Sequence, residues 1–449
     1  MRAIVEPQLP LTTSWIKDPH AAELEVMSQL LDEHPALARF ALSDLVGERS
    51  SARGRRGLSG DQALRVLVIK QLNGFSYAEL AFHLADSRSY RSFCRFGAFG
   101  VTPRKSALQE TLARLQPTTL KAVNAVLVRG AIEEGLESGE RVRIDTTVTQ
   151  TNIHHPADSS LLYDCVRVIA RLLRHARKDL GLRSLGGDHV RAAKRRMYKI
   201  NQAKRQLKRL PFYRDLVRLC AGSLKAAERA LPRLRRIEEA RAQKLADGLQ
   251  YLTEVTPKVL SQTRRRVFGG ESVPAAEKVV SIFEEHTDVI RKGGRETEYG
   301  HKICIAAGSS TLVFDCSIED GAPRDSTLAL DSVKRVVSAM GKLPHAVAFD
   351  GGFTSMDNPQ ELKEMGVAEV MFHRKGVLVD TSLMTSTPQV HKALWRFRAG
   401  VEGCISFLKR CFGLRRANWK GRSGFDRFVH ASILTANLLT MARLRLKSA

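Results

Sequence analysis

RVRIDTTVT, Arg141 to Thr149, decides how the rest of the chain is read. Val142, Ile144, Thr146 and Val148 alternate with Arg143, Asp145 and Thr147, the period-two pattern of a half-buried strand. Asp145 therefore leaves a sheet surface beside Arg143 and Thr147. In HAVAFDGGFTS, His345 to Ser355, a short apolar run from Ala346 to Phe349 leads into Asp350, Gly351 and Gly352. This predicts a buried strand running into a turn, with the Asp350 carboxylate at the strand end. In WRFRAGVEGCISFLKRCFG, Trp395 to Gly413, and the residue before it, Leu394, Phe397, Val401, Ile405, Leu408 and Phe412 step by three or four. That spacing predicts an amphipathic helix able to lay Glu402 across the sheet.

Each acid has an ordinary reading of its own: Asp145 as a strand-edge charge, Asp350 as a turn former, Glu402 as a solvated or salt-bridged helix residue. Taken together, two strand aspartates and a helical glutamate are what a site needs to hold two divalent cations about 4 Å apart around one scissile phosphate. Hard cations take oxygen ligands, and Mg2+ keeps water and substrate phosphates as its remaining ligands, so three carboxylates suffice. The helix supplies the complement. Trp395, Arg398, Glu402 and Lys409 fall on one stripe at about 3.6 residues per turn. Arg398 offers two donors to a phosphate, Lys409 a point charge, and Trp395 a face to stack or wedge against an extruded base. A plain helix ion pair between Arg398 and Glu402 accounts for the same spacing without DNA.

On these residues the chain resembles the bacterial insertion-sequence transposases with an Asp-Asp-Glu active site on a ribonuclease H-like fold. That family's signature around its glutamate is Tyr, two residues, Arg, three residues, Glu, six residues, Lys. Here Trp395, Arg398, Glu402 and Lys409 keep the spacing, with tryptophan in the tyrosine position. The resemblance extends over RIDTTVTQTNIHHPADSSLLYD (Arg143 to Asp164), RKGGRETEYGHK (Arg291 to Lys302) and LSGDQALRVLVIKQLNGFSYAELAFHLADSRSYRSFCRFG (Leu58 to Gly97), and so over nearly the whole chain. It implies a ribonuclease H-like fold with Asp145, Asp350 and Glu402 as catalytic, metal-holding residues. It also implies two Mg2+ ions, for which Mn2+ substitutes, double-stranded DNA as partner, and a homodimer in the DNA complex. The implied chemistry is cleavage at the element's end by water, followed by attack of the freed 3′-hydroxyl on target DNA.

Composition agrees with a DNA-handling protein. The 449 residues carry a formal charge of +25, more imbalance than solubility calls for, and a polyanion is the natural partner. The excess is concentrated: residues 161 to 270 hold 28 Lys and Arg against 9 Asp and Glu. Hydrophobic content of 43% supports buried cores in two to four domains. Cys94, Cys165, Cys220, Cys304, Cys316, Cys404 and Cys411 form no CxxC pair and no zinc-type cluster. With no signal peptide in view they read as reduced thiols of a cytoplasmic, nucleoid-associated protein. ASILTANLLTMARL near the C-terminus is too short and polar to span a bilayer, so no membrane role is expected.

Residues 1–57 read as a loose arm and lead-in helix, ending in the basic loop SSARGRRGLSG, Ser50 to Gly60. Residues 58–135 read as a helical DNA-binding domain. Leu64, Leu67, Val68 and Leu72, a break at Asn73 and Gly74, then Tyr77, Leu80, Ala81 and Leu84 predict two helices around a turn. A helix-turn-helix would carry Glu79, His83, Asp86 and Arg88 outward, whereas a plain helical hairpin would only pack. Residues 161–269 read as a basic helical insertion broken near Gly181 to Gly187, Pro211 and Pro232. Its Arg195, Arg196, Lys204, Arg205, Lys208 and Arg209 are the cations expected on phosphates. His154, His155 and Asp158 invite a metal reading, but Pro156 and the serines make a structural loop the better one. Residues 140–160 and 270–449 then form an α/β catalytic domain in the order strand, insertion, two strands, helix, strand, helix, strand, helix, a mixed sheet covered by helices. Asp315, Asp320 and Asp325 are rival carboxylates, with Asp325 read as a helix N-terminal residue. Two further functions stay open: a non-catalytic DNA-binding repressor derived from a transposase, and a ribonuclease H-like nuclease that cuts without joining.

Overall fold

The computed structural model describes residues 1–4, 18–48, 51, 56–97, 100–183, 185–186, 188–291, 296–372 and 384–448. Positions 50 and 52–55 of the basic loop and 292–295 of RKGGRETEYGHK lie outside the described residues. The chain folds as two compact units, Met1–Thr151 with His301–Ala449, and Asn152–Gly300.

Seven helices open the first unit: α1 (Pro19–Asp32), α2 (Ala36–Val46), α3 (Gly60–Asn73), α4 (Tyr77–Asp86), α5 (Arg88–Phe93), α6 (Lys105–Leu112) and α7 (Pro117–Glu133). The predicted helix pair is present, and its boundaries have local causes. Ser59 and Gln62 form a capping box at the start of α3, Gly74 in the left-handed region ends it, and Ser76 with Glu79 caps α4 in the same way. Helix α3 is buried along Gly60 to Gln71 and so runs through the core. Its Arg65 is fully buried and donates to Asp61, Asp32, Ser28 and the Phe93 carbonyl. His83 is not carried outward as a free recognition side chain. Its half-buried ring stacks on Phe75 at 4.4 Å, since a flat imidazole can cover an apolar neighbour.

Strand β1 (Arg141–Thr151) follows, and the second unit then holds α8 (Asp158–Leu180), α9 (Val190–Gln202), α10 (Gln206–Arg235), α11 (Ala240–Thr263) and β2 (Asp288–Ile290). Its core is Leu, Ile, Val and Ala from the four helices. Gly181, left-handed, closes α8 as predicted. Pro211 and Pro232 do not break the chain, because α10 passes through both. Each interior proline costs about 3 kcal/mol, which burial of Leu216, Val217, Cys220, Ala227, Ala230 and Leu234 along one face offsets. The breaks fall instead at 203–205 and 236–239.

The first unit resumes with β3 (Glu298–Ala307), β4 (Val313–Glu319), α12 (Ala329–Met340), β5 (Ala346–Phe349), α13 (Asn358–Glu364), β6 (Glu369–Phe372), α14 (Pro388–Cys411), β7 (Arg416–Ala417) and α15 (Arg422–Ser448). From β3 to α14 this is the predicted order, and β2, β7 and α15 are additional to it. Within this unit the sheet runs β3-β1-β5-β6, with β4 on β3 and β7 at the end of β1. Pairs β1–β5 and β5–β6 are parallel and β3–β4 antiparallel, which makes the mixed sheet expected of a ribonuclease H-like fold. Inside the second unit, β2 pairs with residues 298–300 at the start of β3.

Val142 and Ile144 of β1 join Val347, Phe349, α7, α12 and α15 in a large core that also takes in α1 to α3. The N-terminal helices and the sheet thus share one hydrophobic interior. Helix α15 lies against α1, α3 and α7. Its Asn437 exchanges hydrogen bonds with the Val313 backbone and donates to Asn124, and Ser432 receives a bond from Gln71. Arg445 pairs with Glu33 and Glu134. A smaller core on the opposite face joins Ala346, Ala348 and Met371 to Val390, Leu394 and Phe397 of α14. That second face carries the candidate site.

Candidate active site

The parallel ladder of β1 and β5 ends at Ile144 opposite Phe349, so Asp145 and Asp350 are the next residues along two neighbouring strands. Asp350 follows β5 and opens the short turn Gly351–Phe353, its backbone carbonyl accepting the Phe353 N–H. The Asp145 carboxylate accepts the Thr146 N–H at 2.6 Å.

Helix α14 reaches over this strand end. Thr387 accepts the Val390 N–H and Pro388 sits in the first turn, two ordinary start signals that lengthen the helix beyond its predicted apolar run. Arg143 docks the helix on β1. It is buried, its guanidinium lies 5.0 Å from the Phe397 ring centroid, and its Nη1 donates to the Phe397 carbonyl at 3.3 Å. Burial lowers its pKa from the usual arginine value. The crossing needs a glycine, since a Cβ on Gly400 would stand 1.9 Å from Arg143 Nη1. Arg143 precedes Asp145 by two positions and Gly400 precedes Glu402 by two, so one contact sets both carboxylates relative to the crossing. Gly400→Ala is expected to cost about 1–3 kcal/mol through overpacking; a thermal unfolding midpoint equal to wild type would show that the crossing tolerates a methyl group.

Arg398 joins the two remaining acids. Nη1 donates to Asp350 at 2.7 Å and Nη2 to Glu402 at 3.2 Å. The helix ion pair read from spacing is therefore present, and the same guanidinium also holds the β5 aspartate. Arg398 is only 15% exposed whereas Glu402 is 73% exposed, so the glutamate faces solvent over a screened cation. Trp395 is exposed and Lys409 half-buried on the same helix.

Among the described residues no three Asp, Glu, His or Cys side chains stand close enough to hold one metal ion. The donor chemistry nevertheless fits a hard cation. All three acids offer oxygen, and Asp350 and Glu402 already converge on a positive group in Arg398. His154, His155 and Asp158 do not form a metal cluster: His154 faces Asp164 at 3.7 Å, His155 packs edge-on to Tyr299, and Asp158 begins α8 in contact with Gln262 and Arg266.

Of the rival acids, Asp315 is buried between Lys121 and Arg335, and Asp320 pairs with Arg422. Asp325 opens a short 3-10 turn, close to its predicted place at a helix start, yet its side chain turns to the strand ends. It accepts from Thr146 Oγ1 at 3.0 Å and Lys302 Nζ at 2.8 Å. The available signal is Lys302, a cation in the otherwise apolar strand GHKICIAA, which calls for a buried partner.

The other predicted contacts are spread over the chain. Arg88 is exposed at the start of α5. In the second unit Lys204, Arg205 and Lys208 are exposed around the turn from α9 to α10, and Arg195 is exposed midway along α9. Arg196 pairs loosely with Asp215 at 3.5 Å, and Arg209 Nε donates to the Ala203 carbonyl. All seven cysteines are unpaired and only Cys411 is exposed. No helix among the described residues is long and apolar enough to cross a membrane.

Residues 14–114 match the model of a transposase domain, DUF772, and residues 277–438 match that of the transposase DDE domain. Together the matches cover more than half of the chain. It is also similar, at 30% identity over 142 residues, to an uncharacterized protein of Rhizobium meliloti, ORF8 in the nfe locus. That alignment takes in 30% of this chain and 66% of the relative. No solved structure matches.

Proposed function

The chain belongs to the insertion-sequence DDE transposases, and from that premise we propose that it cuts DNA at the ends of an insertion sequence and joins them to target DNA, with Asp145, Asp350 and Glu402 as the metal-holding carboxylates. The observation that carries this reading is the placement of Asp145 and Asp350 as the next residues of two parallel strands, with Arg398 linking Asp350 to the glutamate of the covering helix. The cofactor is Mg2+, as two ions, with Mn2+ able to substitute. When bound, the ions activate the attacking oxygen and stabilise the leaving one.

The chain's own groups orient the DNA. Arg398 is a fork-shaped donor already inside the site, able to exchange a carboxylate for a phosphate oxygen. Lys409 adds a point charge about three turns further along α14, and Trp395 offers a face to a base. The exposed cations along α9 and around the α9–α10 turn, Arg195, Lys204, Arg205 and Lys208 with Arg196 and Arg209, form a clamp on the phosphate backbone. The N-terminal helices contribute Arg88, with His83 as a flanking contact. The protein acts on double-stranded DNA in the cytoplasm as a homodimer, because two ends are processed together.

A strand-transfer assay tests the reading, using the full chain, a duplex carrying the element's terminal repeat, and target DNA. Mg2+-dependent cleavage and joined product are expected. Cleavage without joining would make the protein a nuclease, and DNA binding with neither would make it a repressor. For the clamp, Lys204→Gln, Arg205→Gln and Lys208→Gln combined are expected to flatten the log–log dependence of DNA affinity on salt by about 0.9 for each phosphate no longer neutralised. An unchanged slope in fluorescence anisotropy would remove these residues from the interface.

A further inference from the structure

Resting on the proposed metal chemistry, the geometry points to Asp325 as a positioning residue that, paired with Lys302, fixes the separation of Asp145 and Asp350. The last paired residues of the β1–β5 ladder are Ile144 and Phe349, so Asp145 and Asp350 lie just past its final rung. Asp325 stands at that point. Its Oδ1 accepts from Thr146 Oγ1, on the residue after Asp145. Its Oδ2 lies 2.8 Å from where a Cβ of Gly352 would stand, two residues after Asp350. One carboxylate therefore bonds to β1 just past its pairing with β5 and stands close against the turn that follows β5.

Asp325 works from the far side of the sheet. Side chains alternate along β1, and Ile144 belongs to the large core while Arg143 meets α14, so Thr146 shares the core side and Asp145 the α14 side. This makes Asp325 a brace beneath the site. Lys302 holds the brace in place. Its ammonium is buried on β3 and reaches the Pro323 carbonyl as well as Asp325, which ties the loop before the 3-10 turn to the same strand. A buried ammonium without that carboxylate is strongly disfavoured, so the two side chains hold each other. Gly352 is the matching requirement on the other strand, since any side chain there pushes Asp325 away.

Outer partners of metal-holding groups change metal affinity by about 10–100-fold when removed. The test is Mn2+ binding to the full chain without DNA, read from the paramagnetic resonance of free Mn2+, with circular dichroism and thermal melts reporting the fold. Asp325→Ala is expected to weaken Mn2+ binding about tenfold or more. Thr146→Val, which deletes one hydroxyl and no charge, is expected to weaken it by a smaller factor with little change in melting, and Thr146→Ser to restore it. Asp320→Asn, an exposed acid paired with Arg422, serves as control and keeps wild-type affinity. If Asp325→Ala does not fold, the Thr146 pair decides alone. A folded Asp325→Ala with wild-type affinity, or Thr146→Val and Thr146→Ser that bind alike, overturns the brace while leaving the proposed function standing. A wild-type chain that binds no Mn2+ overturns both.

Discussion

Asp145→Asn, Asp350→Asn and Glu402→Gln are each expected to lower Mg2+-dependent strand cleavage by roughly a thousandfold or more, while binding to end DNA stays close to wild type. The estimate follows from charge. An amide has nearly the shape of the carboxylate but is a poor ligand for a hard cation, and a Lewis acid contributes several kcal/mol to the transition state, each 1.4 kcal/mol being about tenfold. The three variants differ in their side effects. Glu402 is 73% exposed and touches Arg398 at 3.2 Å, so Glu402→Gln should melt like wild type. Asp350 is the shorter partner of Arg398, so Asp350→Asn also loosens the guanidinium inside the site. Asp145 engages its neighbouring amide, which an asparagine oxygen can still accept. Gel assays of nicking, joining and end binding, with melts run in parallel, separate loss of chemistry from loss of fold. Wild-type cleavage in any one variant removes that residue from the site.

Arg65→Met is expected to destabilise the first unit by about 3–5 kcal/mol, because it strands buried partners of a buried charge. Arg65 is among the largest fully buried side chains. Nε is 2.8 Å from Asp61 Oδ1, Nη1 is 2.7 Å from Ser28 Oγ and 3.0 Å from the Phe93 carbonyl, and Nη2 is 2.7 Å from Asp32. The residue thereby links α1, α3 and α5. Arg95 also pairs with Asp32 and Asp61, and it retains part of the network when Arg65 is replaced. Asp32 is 43% exposed, so water screens that end of the network. Arg65→Lys keeps the charge but not the fork, and should recover only part of the loss. Denaturant unfolding followed by tryptophan fluorescence gives the comparison; an unshifted midpoint for Arg65→Met would show that the network is energetically neutral.

The parts of the fold legible in the sequence are those set by short-range periodicity. The alternation around Asp145, the apolar run before Asp350 and the three-to-four spacing around Glu402 each identify their element, because a strand or helix face has to be buried somewhere. Paired capping residues do the same for α3 and α4. Other features depend on tertiary structure. Pro211 and Pro232 read as breaks because their local cost is visible in sequence, while the buried face that offsets it is visible only once α8 to α11 are packed. His83 reads as outward because its ring stack on Phe75 lies across a turn. The Arg398 bond to Asp350 and the approach of Asp325 to Thr146 join residues far apart in the chain, which no window of sequence can pair.

The burial of α15 against α1, α3 and α7 has a consequence in time. Ribosomes add about 5–20 residues per second, so the N-terminal helices emerge tens of seconds before the segment that completes their interior. Until Phe428, Ile433 and Leu438 arrive, the apolar faces they cover are open to chaperones, and the Asn437 and Ser432 bonds that hold β4 and α3 are unmade. A nascent chain can therefore complete this shared interior only after α15 has emerged.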